Sequence, residues 1–226
     1  MDNPLVKPVD PIFVGAHLHS KSQFSSKSIA KRDGEKVGVF AKKNGSLTIV
    51  EYSELPKVLV DSKDAAGNFV YGEGNTAIHL IDLPFIEKTA QDATLPYSRA
   101  FKKEAYWQNG QKITPPAPNA IKFEQFIFAA LPLAQNPIVL QVAREDAFSP
   151  VKNAEGVDSP KTSRDDQLKL WAGWLKAVGV AVPLGPDGVP SIAFEVTPVF
   201  ADTLEDLRAQ AAAGKLPREI TAGLVL

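Results

Sequence analysis

The chain has 226 residues, 44% of them hydrophobic, and a formal charge of -1, which is typical of a globular protein with a full core. The 25 basic and 26 acidic residues leave no basic field for a nucleic acid and no polybasic patch for a membrane surface. The lack of cysteine excludes disulfides and thiol nucleophiles, and no apolar run has the length of a membrane span. We therefore expect a cytoplasmic protein without nucleic-acid or membrane partners.

The first third of the chain predicts a helix followed by a hairpin. Asp10-Pro11 is typical of a helix start, because proline is accepted in the first turn. The apolar runs 37–41 and 47–52 flank Asn44-Gly45, a pair that readily takes the positive φ angles of a two-residue turn. We expect two antiparallel strands here, and then a weak helix over 54–62.

The middle of the chain predicts a strand over 69–71 that ends in a glycine-rich turn at 72–75. The two glycines of that turn indicate a close approach of the backbone. A helix should follow through 85–90 and another strand over 99–107. Apolar residues between 121 and 131 recur at helical spacing and predict a further helix.

A polar loop follows the short apolar run 138–142, which is typical of a strand buried on both faces. Pro150, Asn153 and Gly156 break regular structure around Lys152, so the lysine should lie beyond the carboxyl end of the strand, where open α/β sheets bind ligands. An ammonium group there can neutralise phosphate oxygens. A loop lysine taken alone is more often simply solvated.

The last third of the chain predicts a helix capped by Ser163 and ending near Gly179, then a strand over 191–196 and a helix over 203–213. Strands that alternate with helices are typical of an α/β sheet. The likeliest domain boundary falls in the loop 156–163.

Several segments of the chain match the sequence motifs of one protein family, and they occur in the same order. They are residues 2–7 with Asp10-Pro11, residues 50–54, residues 74–79, Lys102-Lys103, Ile121-Lys122 with residues 126–128, and residues 144–146 with 148–154. On these segments the chain resembles the eukaryotic-type UDP-sugar pyrophosphorylases, most of all the UDP-N-acetylglucosamine pyrophosphorylases. The resemblance extends over nearly the whole chain.

The resemblance implies part of a Rossmann-like nucleotidyltransferase mixed sheet flanked by helices, with a small C-terminal α/β segment. Residues 1–157 would be the sugar-binding half of the catalytic domain, and 158–226 would be a small C-terminal domain. In the family, a glycine-rich loop that cradles the UTP phosphates precedes the Asp-Asn segment. Because this chain begins at that segment, we expect the N-terminal nucleotide-binding half to be absent from it.

The resemblance also implies a uridylyltransferase reaction, in which UTP and an N-acetylhexosamine 1-phosphate give a UDP-N-acetylhexosamine and pyrophosphate. Lys152 would be the catalytic residue that stabilises charge on the phosphates, and Asp2 would hold Mg²⁺, a cation that prefers oxygen ligands. The substrate-binding residues would be Glu51, Gly74, Asn75, Phe126 and Phe128. The partners would be the sugar 1-phosphate, UTP or the UDP-sugar, and the missing N-terminal half.

Simpler interpretations of these residues stay open at this point. Asp2 and Glu51 also fit the pattern of solvated acids at a protein surface. Asn75 also fits a turn, where asparagine is common. Phe126 and Phe128 lie two residues apart and cannot share one helical face, so one of them should belong to the core. The three histidines have no metal-ligand spacing, and Ser149 has no evident partners for nucleophilic catalysis.

Two alternatives for the function also stay open. The chain is either the sugar-binding part of an enzyme, active only with its other half, or a truncated, non-catalytic fold that retains sugar-phosphate binding or serves as an interaction module. Thr76 and Ile78 depart from the family's residues at these positions, so glucose 1-phosphate remains an alternative substrate. On the first alternative, Lys152, Asn75 and Glu51 should converge on one cleft.

Overall fold

The computed structural model describes residues 2–92 and 95–226, which form two compact units. The sheet unit consists of Pro11–Gln141, and the helical unit combines the residues up to Asp10 with Val142–Leu226. The helical unit therefore includes residues on both sides of the boundary expected near residue 157. The proposed functional division at that boundary remains a prediction.

The sheet unit carries most of the regular structure. Its elements, in chain order, are α1 Pro11–His19, β1 Phe24–Ala30, β2 Val39–Lys43, β3 Ser46–Val50, α2 Lys57–Val60, β4 Glu73–Ile81, α3 Leu83–Asp92, β5 Ser98–Lys102, β6 Tyr106–Gln108, β7 Gln111–Ile113, β8 Ala120–Glu124, a 3₁₀ helix Ile127–Leu133 and β9 Ile138–Gln141. Five strands form one sheet in the order β3-β2-β4-β1-β9, in which β1 and β9 are parallel and the other pairs antiparallel. The predicted α/β class with a mixed sheet and flanking helices is confirmed.

The core of the sheet unit lies between the sheet and its covering helices. Phe24, Phe40 and Ile49 come from β1, β2 and β3, while Phe85 comes from α3 and Leu131 from the 3₁₀ helix. The predicted hairpin is also confirmed, since β2 and β3 pair in register around Asn44-Gly45, whose φ angles are 52° and 84°. These positive angles are the ones that a tight hairpin turn requires.

The strand predicted over 69–71 is wrong, because the strand is β4 and begins at Glu73. The sequence predicts a turn at Gly72 and Gly74, but Gly74 lies inside strand β4 and is buried. A Cβ on Gly74 would lie 2.9 Å from Cδ1 of Ile29 and 3.3 Å from Cγ1 of Val37. The prediction of a close backbone approach was therefore right, although the glycine serves sheet packing and not a turn.

The helix predicted over 121–131 is also wrong. Residues 120–124 form strand β8, and the 3₁₀ helix starts only at Ile127. The apolar spacing looked helical because it ran across the junction between a strand and a helix. The strand predicted over 99–107 is instead two separate strands, β5 and β6.

Strand β9 was expected to be buried on both faces, and it is only half-buried. Its position explains the difference: β9 is the last strand of the five-stranded sheet, where it pairs with β1. An edge strand has a neighbour on one side only, so its side chains keep part of their exposure.

The helical unit contains α4 Arg144–Ala147, α5 Pro160–Ala177 and α6 Leu204–Ala212. Its core packs Leu168 and Leu175 of α5 against Leu207 of α6. The strand predicted over 191–196 is reduced to a single parallel bridge between Glu195 and Val225.

Helix α5 begins with a capping box made by Ser159 and Thr162, and not with Ser163 as predicted. The Ser163 hydroxyl donates to the carbonyl oxygen of Ser149 at 3.1 Å instead. The helix ends before Gly179, whose φ of 83° fits the predicted stop. None of the helices within the described ranges has both the length and the apolar run needed to cross a bilayer.

Candidate functional site

In the helical unit, the Asp2-Asn3 segment is fastened to the loop that carries Lys152. The buried side chain of Asn3 donates to the carbonyl oxygen of Ala147 at 2.8 Å and accepts from the amide of Ser149 at 2.9 Å. The Val151 amide donates to the carbonyl oxygen of Asp2 at 2.5 Å. The predicted metal ligand Asp2 is thus held against the loop that carries the predicted catalytic Lys152, although 150 positions separate the two residues (152 − 2).

The backbone of the lysine loop is closed on itself. The amides of Lys152 and Asn153 both donate to the carbonyl oxygen of Asp158, at 2.7 and 3.0 Å. The Asn153 side chain donates to the carbonyl oxygen of Val157 at 2.8 Å. Positive φ angles at Gly156 (78°) and Asp158 (52°) allow this tight closure. The loop therefore fixes the backbone of Lys152 while its side chain is exposed, with Nζ 5.6 Å from the Phe148 ring centroid.

Ser149 holds this loop to α5, a role that the sequence did not suggest. Its hydroxyl donates to Oδ2 of Asp166 at 2.7 Å, and its carbonyl oxygen accepts from Ser163. Because the hydroxyl donates its hydrogen bond to a carboxylate, and no histidine takes part in these contacts, Ser149 has the environment of a structural residue. The expectation that Ser149 lacks an acidic partner is wrong, because Asp166 accepts the hydrogen bond of its hydroxyl, and the expectation that Ser149 is not a nucleophile remains a prediction.

In the sheet unit, Glu51 and Asn75 meet at Gly38. Glu51 follows directly after β3, and the amide of Asn75 in β4 donates to the carbonyl oxygen of Gly38 at 2.7 Å. A Cβ on Gly38 would lie only 2.8 Å from Oε1 of Glu51. The structure therefore brings the two predicted sugar-binding residues together, and Gly38 is a residue of this site that the sequence reasoning missed.

A bulge in β4 sets the direction of the Asn75 side chain. Ser26 pairs with His79 and Ser28 with Asn75, so residues 76–78 of β4 lie opposite Lys27 alone. Ala77 in this bulge has a φ of 58°, and its amide donates to Oδ1 of Asn75 at 3.0 Å. Such a conformation costs a non-glycine residue on the order of 1–2 kcal/mol, and strained positions of this kind cluster at functional sites.

The other predicted substrate-binding residues also lie in the sheet unit. Phe126 and Phe128 stack nearly parallel, with ring centroids 4.8 Å apart and an angle of 9° between the ring planes. The expectation that they could not share a face is wrong, because Phe126 is extended and precedes the 3₁₀ helix. Phe128 also packs against the core. Gly74 makes packing contacts, and its part in substrate binding remains a prediction.

Two histidines of the sheet unit have buried environments. His17 bonds to the hydroxyl of Ser25 at 2.7 Å and to Oδ1 of Asp82 at 3.0 Å. His79 bonds to the hydroxyl of Ser26 at 2.9 Å through Nδ1, and its Nε2 is buried without a hydrogen-bond partner among the described residues. Burial lowers the pKa of His79 to about 4, so the ring is neutral at physiological pH.

Within residues 2–92 and 95–226, no three histidine or acidic side chains cluster as a metal-binding group would. Asp2 offers a single exposed carboxylate beside the lysine loop. The site thus has two parts: Asp2 with Lys152 in the helical unit, and Glu51 with Asn75 in the sheet unit. Their convergence on one cleft remains a prediction.

Comparisons with known proteins show the family of the chain. The model of the UTP–glucose-1-phosphate uridylyltransferase family matches residues 1–158. The chain belongs to this family of UDP-sugar pyrophosphorylases. A probable UDP-N-acetylglucosamine pyrophosphorylase of Caenorhabditis elegans is 36% identical over 186 residues, which are 80% of this chain and 38% of the relative. The UDP-N-acetylglucosamine pyrophosphorylase of Saccharomyces cerevisiae is 37% identical over 195 residues, 82% of this chain and 41% of the relative.

Solved structures agree with the fold. A putative UDP-N-acetylglucosamine pyrophosphorylase from Entamoeba histolytica matches 100% of this chain and 55% of its own, with a TM-score of 0.78 and 30% identity. The enzyme of the same name from Trypanosoma brucei matches with a TM-score of 0.71 and 25% identity, over 100% of this chain and 47% of its own. The chain spans about two fifths of the length of the curated relatives.

Proposed function

We propose that this chain provides the sugar-phosphate-binding part of a cytoplasmic UDP-N-acetylhexosamine pyrophosphorylase. The observation that carries the proposal is the attachment of the Asp2-Asn3 segment to the lysine loop, because it holds the backbone of Asp2, which bears a carboxylate, against the loop that carries Lys152. Such a pair suits phosphates and their counter-cation. The names of the relatives support the choice of N-acetylhexosamine over glucose.

In the proposed reaction, a phosphate oxygen of the sugar 1-phosphate attacks the α-phosphorus of UTP, and the bond to the leaving pyrophosphate breaks. A protein contributes to such phosphoryl chemistry mostly by positioning and by neutralising charge. Lys152 is suited to this role, since its loop backbone is closed by the Asp158 carbonyl and the residue is exposed.

The sugar is proposed to bind at Glu51 and Asn75. A carboxylate accepts hydrogen bonds from two hydroxyl groups, and the Asn75 side chain, whose Oδ1 already accepts from Ala77, has its Nδ2 to offer as a donor. The stacked rings of Phe126 and Phe128 would supply an apolar wall. The closely packed Gly74 keeps β4 in register beside Asn75.

The residues present fit Mg²⁺ at Asp2. This cation is usually held by one or two carboxylates together with substrate phosphates, and Asp2 provides one such carboxylate. When bound, the ion would neutralise charge on the phosphates of both substrates. The Val151 amide holds the Asp2 backbone at the lysine loop.

The proposal predicts which ligands bind the isolated 226-residue chain. Isothermal titration with N-acetylglucosamine 1-phosphate in the presence of Mg²⁺ should give weak binding at one site, with glucose 1-phosphate weaker. Glu51→Ala and Asn75→Ala should each weaken binding about tenfold, while Lys169→Ala, an exposed lysine of α5, should leave it unchanged. If none of the sugar phosphates binds, the alternative of a non-catalytic interaction module takes the place of this proposal.

A further inference from the structure

Strands β5 and β8 form a two-stranded ribbon in the sheet unit. The apolar face of this ribbon is more exposed than its opposite face. Antiparallel pairing sets Arg99 opposite Phe123 and Phe101 opposite Ile121, so these four side chains share one face. Tyr97, two residues before Arg99, joins them, with its ring edge-on to that of Phe123 at 6.2 Å. These five residues are called the ribbon face.

The ribbon face is exposed to an unusual extent for its composition. Phe101 is 65% exposed, Tyr97 61%, Phe123 58% and Ile121 45%. The opposite face carries small and polar residues such as Ala100 and Ala120, which are less exposed. The usual arrangement of a ribbon, with apolar side chains turned inward, is therefore reversed here.

A two-stranded ribbon is marginally stable when nothing covers it. Four neighbouring large apolar side chains, with a cation at the centre of the group, are typical of a protein interaction site and not of an ordinary surface. We propose that the ribbon face is a docking surface for an acidic polypeptide segment that presents apolar side chains. This inference does not depend on the uridylyltransferase function.

The charges on the two faces indicate which partner fits. Arg99 lies on the ribbon face, with its guanidinium carbon 6.0 Å from the Phe123 ring centroid. Lys102 and Lys122 fall on the opposite face, where Lys122 is paired with Glu124 at 2.8 Å. One guanidinium group beside an aromatic ring, on a face whose other residues are apolar or aromatic, suits a single carboxylate among apolar contacts, whereas a nucleic acid needs several cations that follow its phosphates.

A second copy of this chain fits the ribbon face less well. The five residues of the face include a basic residue and no acidic one, so a self-complementary contact would bury Arg99 of each copy without a carboxylate to pair with it. An unpaired buried charge is strongly unfavourable. An acidic partner removes this penalty.

The test uses the 226-residue chain and a fluorescein-labelled random copolymer of glutamate and tyrosine, which is both acidic and aromatic. Fluorescence anisotropy should show binding of the copolymer and at least tenfold weaker binding of labelled polyglutamate. The double variant Phe101→Ser/Phe123→Ser should bind the copolymer at least tenfold more weakly. Leu18→Ser is the matched control, because Leu18 is 67% exposed on α1 and lies outside the ribbon face.

A second variant tests the charge alone. Arg99→Glu should also weaken copolymer binding about tenfold, and unchanged circular dichroism and thermal unfolding will show that both variants are folded. Copolymer binding that is absent, or that survives Phe101→Ser/Phe123→Ser, overturns the proposal. Preferential binding of polyuridylate overturns it in favour of a nucleic acid, and a concentration-dependent dimer lost in the double variant overturns it in favour of a second copy.

Discussion

Asn3 and Ser149 are 146 positions apart in the sequence, and the buried side chain of Asn3 accepts the hydrogen bond of the Ser149 amide. The same side chain donates to Ala147, so one residue holds both ends of the turn at Phe148. The lysine loop begins one residue after this turn. The position of the loop that carries Lys152 therefore depends on a residue near the N-terminus.

Asn3→Ala should leave a backbone amide and a carbonyl group buried without partners. We expect it to lower the free energy of unfolding by about 1–3 kcal/mol and to weaken sugar-phosphate binding as well. Urea denaturation followed by tryptophan fluorescence measures the first effect, because Trp171 and Trp174 lie in the same unit. The control is Lys169→Ala, an exposed side chain of α5 that should cost less than about 0.5 kcal/mol. Equal losses in the two variants would contradict the anchoring role of Asn3.

Gly38→Ala should disturb Glu51, because the new Cβ would lie 2.8 Å from Oε1 of that carboxylate. We expect N-acetylglucosamine 1-phosphate to bind roughly tenfold more weakly, while the melting temperature changes little, since the carboxylate can move away. Gly15→Ala is a matched control, because a Cβ there has no atom within 4 Å.

Gly38→Ala should weaken sugar-phosphate binding by displacing the Glu51 carboxylate. In a Glu51→Ala background the carboxylate is gone, and Gly38→Ala should then cause no further loss of binding. Fluorescence-based titrations of the two single variants and the double variant measure this coupling. Additive losses would show that Gly38 acts on the ligand or on the fold by another route.

The sequence predicted the fold class and the residues that meet at Gly38, but it did not predict Gly38 itself. Glu51 and Asn75 stand in recognisable motifs, at a strand end and after a glycine. Gly38 lies between Val37 and Val39 in an ordinary strand pattern, and only the structure shows that a side chain there would press on Glu51 and Ile49. Steric exclusion between distant residues leaves no periodic signal in one sequence.

The errors in the predicted elements have a common physical cause. Glycine at 74 and apolar spacing over 121–131 were interpreted locally, as a turn and a helix. In the structure, tertiary packing against Ile29 and Val37 requires that glycine inside β4, and the apolar residues serve a strand first and a 3₁₀ helix afterwards. Local propensity is a weak guide where neighbouring strands decide the conformation.

Acidification should destabilise the protein through His79. Burial lowers its pKa from the ordinary 6.5 to about 4, so between these values the unfolded chain binds a proton that the folded chain does not. The stabilising effect of the neutral ring is full above about pH 7 and is lost as the pH falls from 6.5 towards 4. At pH 5 this loss should be about 2 kcal/mol.

Urea denaturation at pH 8 and pH 5 measures this difference. In His79→Gln the loss of stability between the two pH values should be smaller than in the unmodified chain by about the same 2 kcal/mol. His19→Gln, which changes an exposed histidine of α1, should show the full loss. A pH dependence that is unaltered in His79→Gln would mean that other groups titrate in this range.

The convergence of Lys152 with Asn75 on one ligand can be tested by removing the phosphate from that ligand. Lys152→Ala should weaken binding of N-acetylglucosamine 1-phosphate by about 1.5–3 kcal/mol and leave binding of N-acetylglucosamine unchanged, since the ammonium group is expected to contact only the phosphate. Asn75→Ala should weaken binding of both ligands. If the free sugar fails to compete with the sugar phosphate, the two residues belong to different sites.

The isolated 226-residue chain should bind a sugar phosphate without making a UDP-sugar. Transfer from UTP requires groups that hold the triphosphate, and the family's glycine-rich loop supplies them as backbone amides. The present sequence contains no two adjacent glycines and therefore no such loop. We expect incubation with UTP, Mg²⁺ and N-acetylglucosamine 1-phosphate to release no pyrophosphate above an enzyme-free blank. Release that disappears in Lys152→Ala would show that these residues alone bind UTP productively, whereas release that persists in that variant would come from a contaminating enzyme.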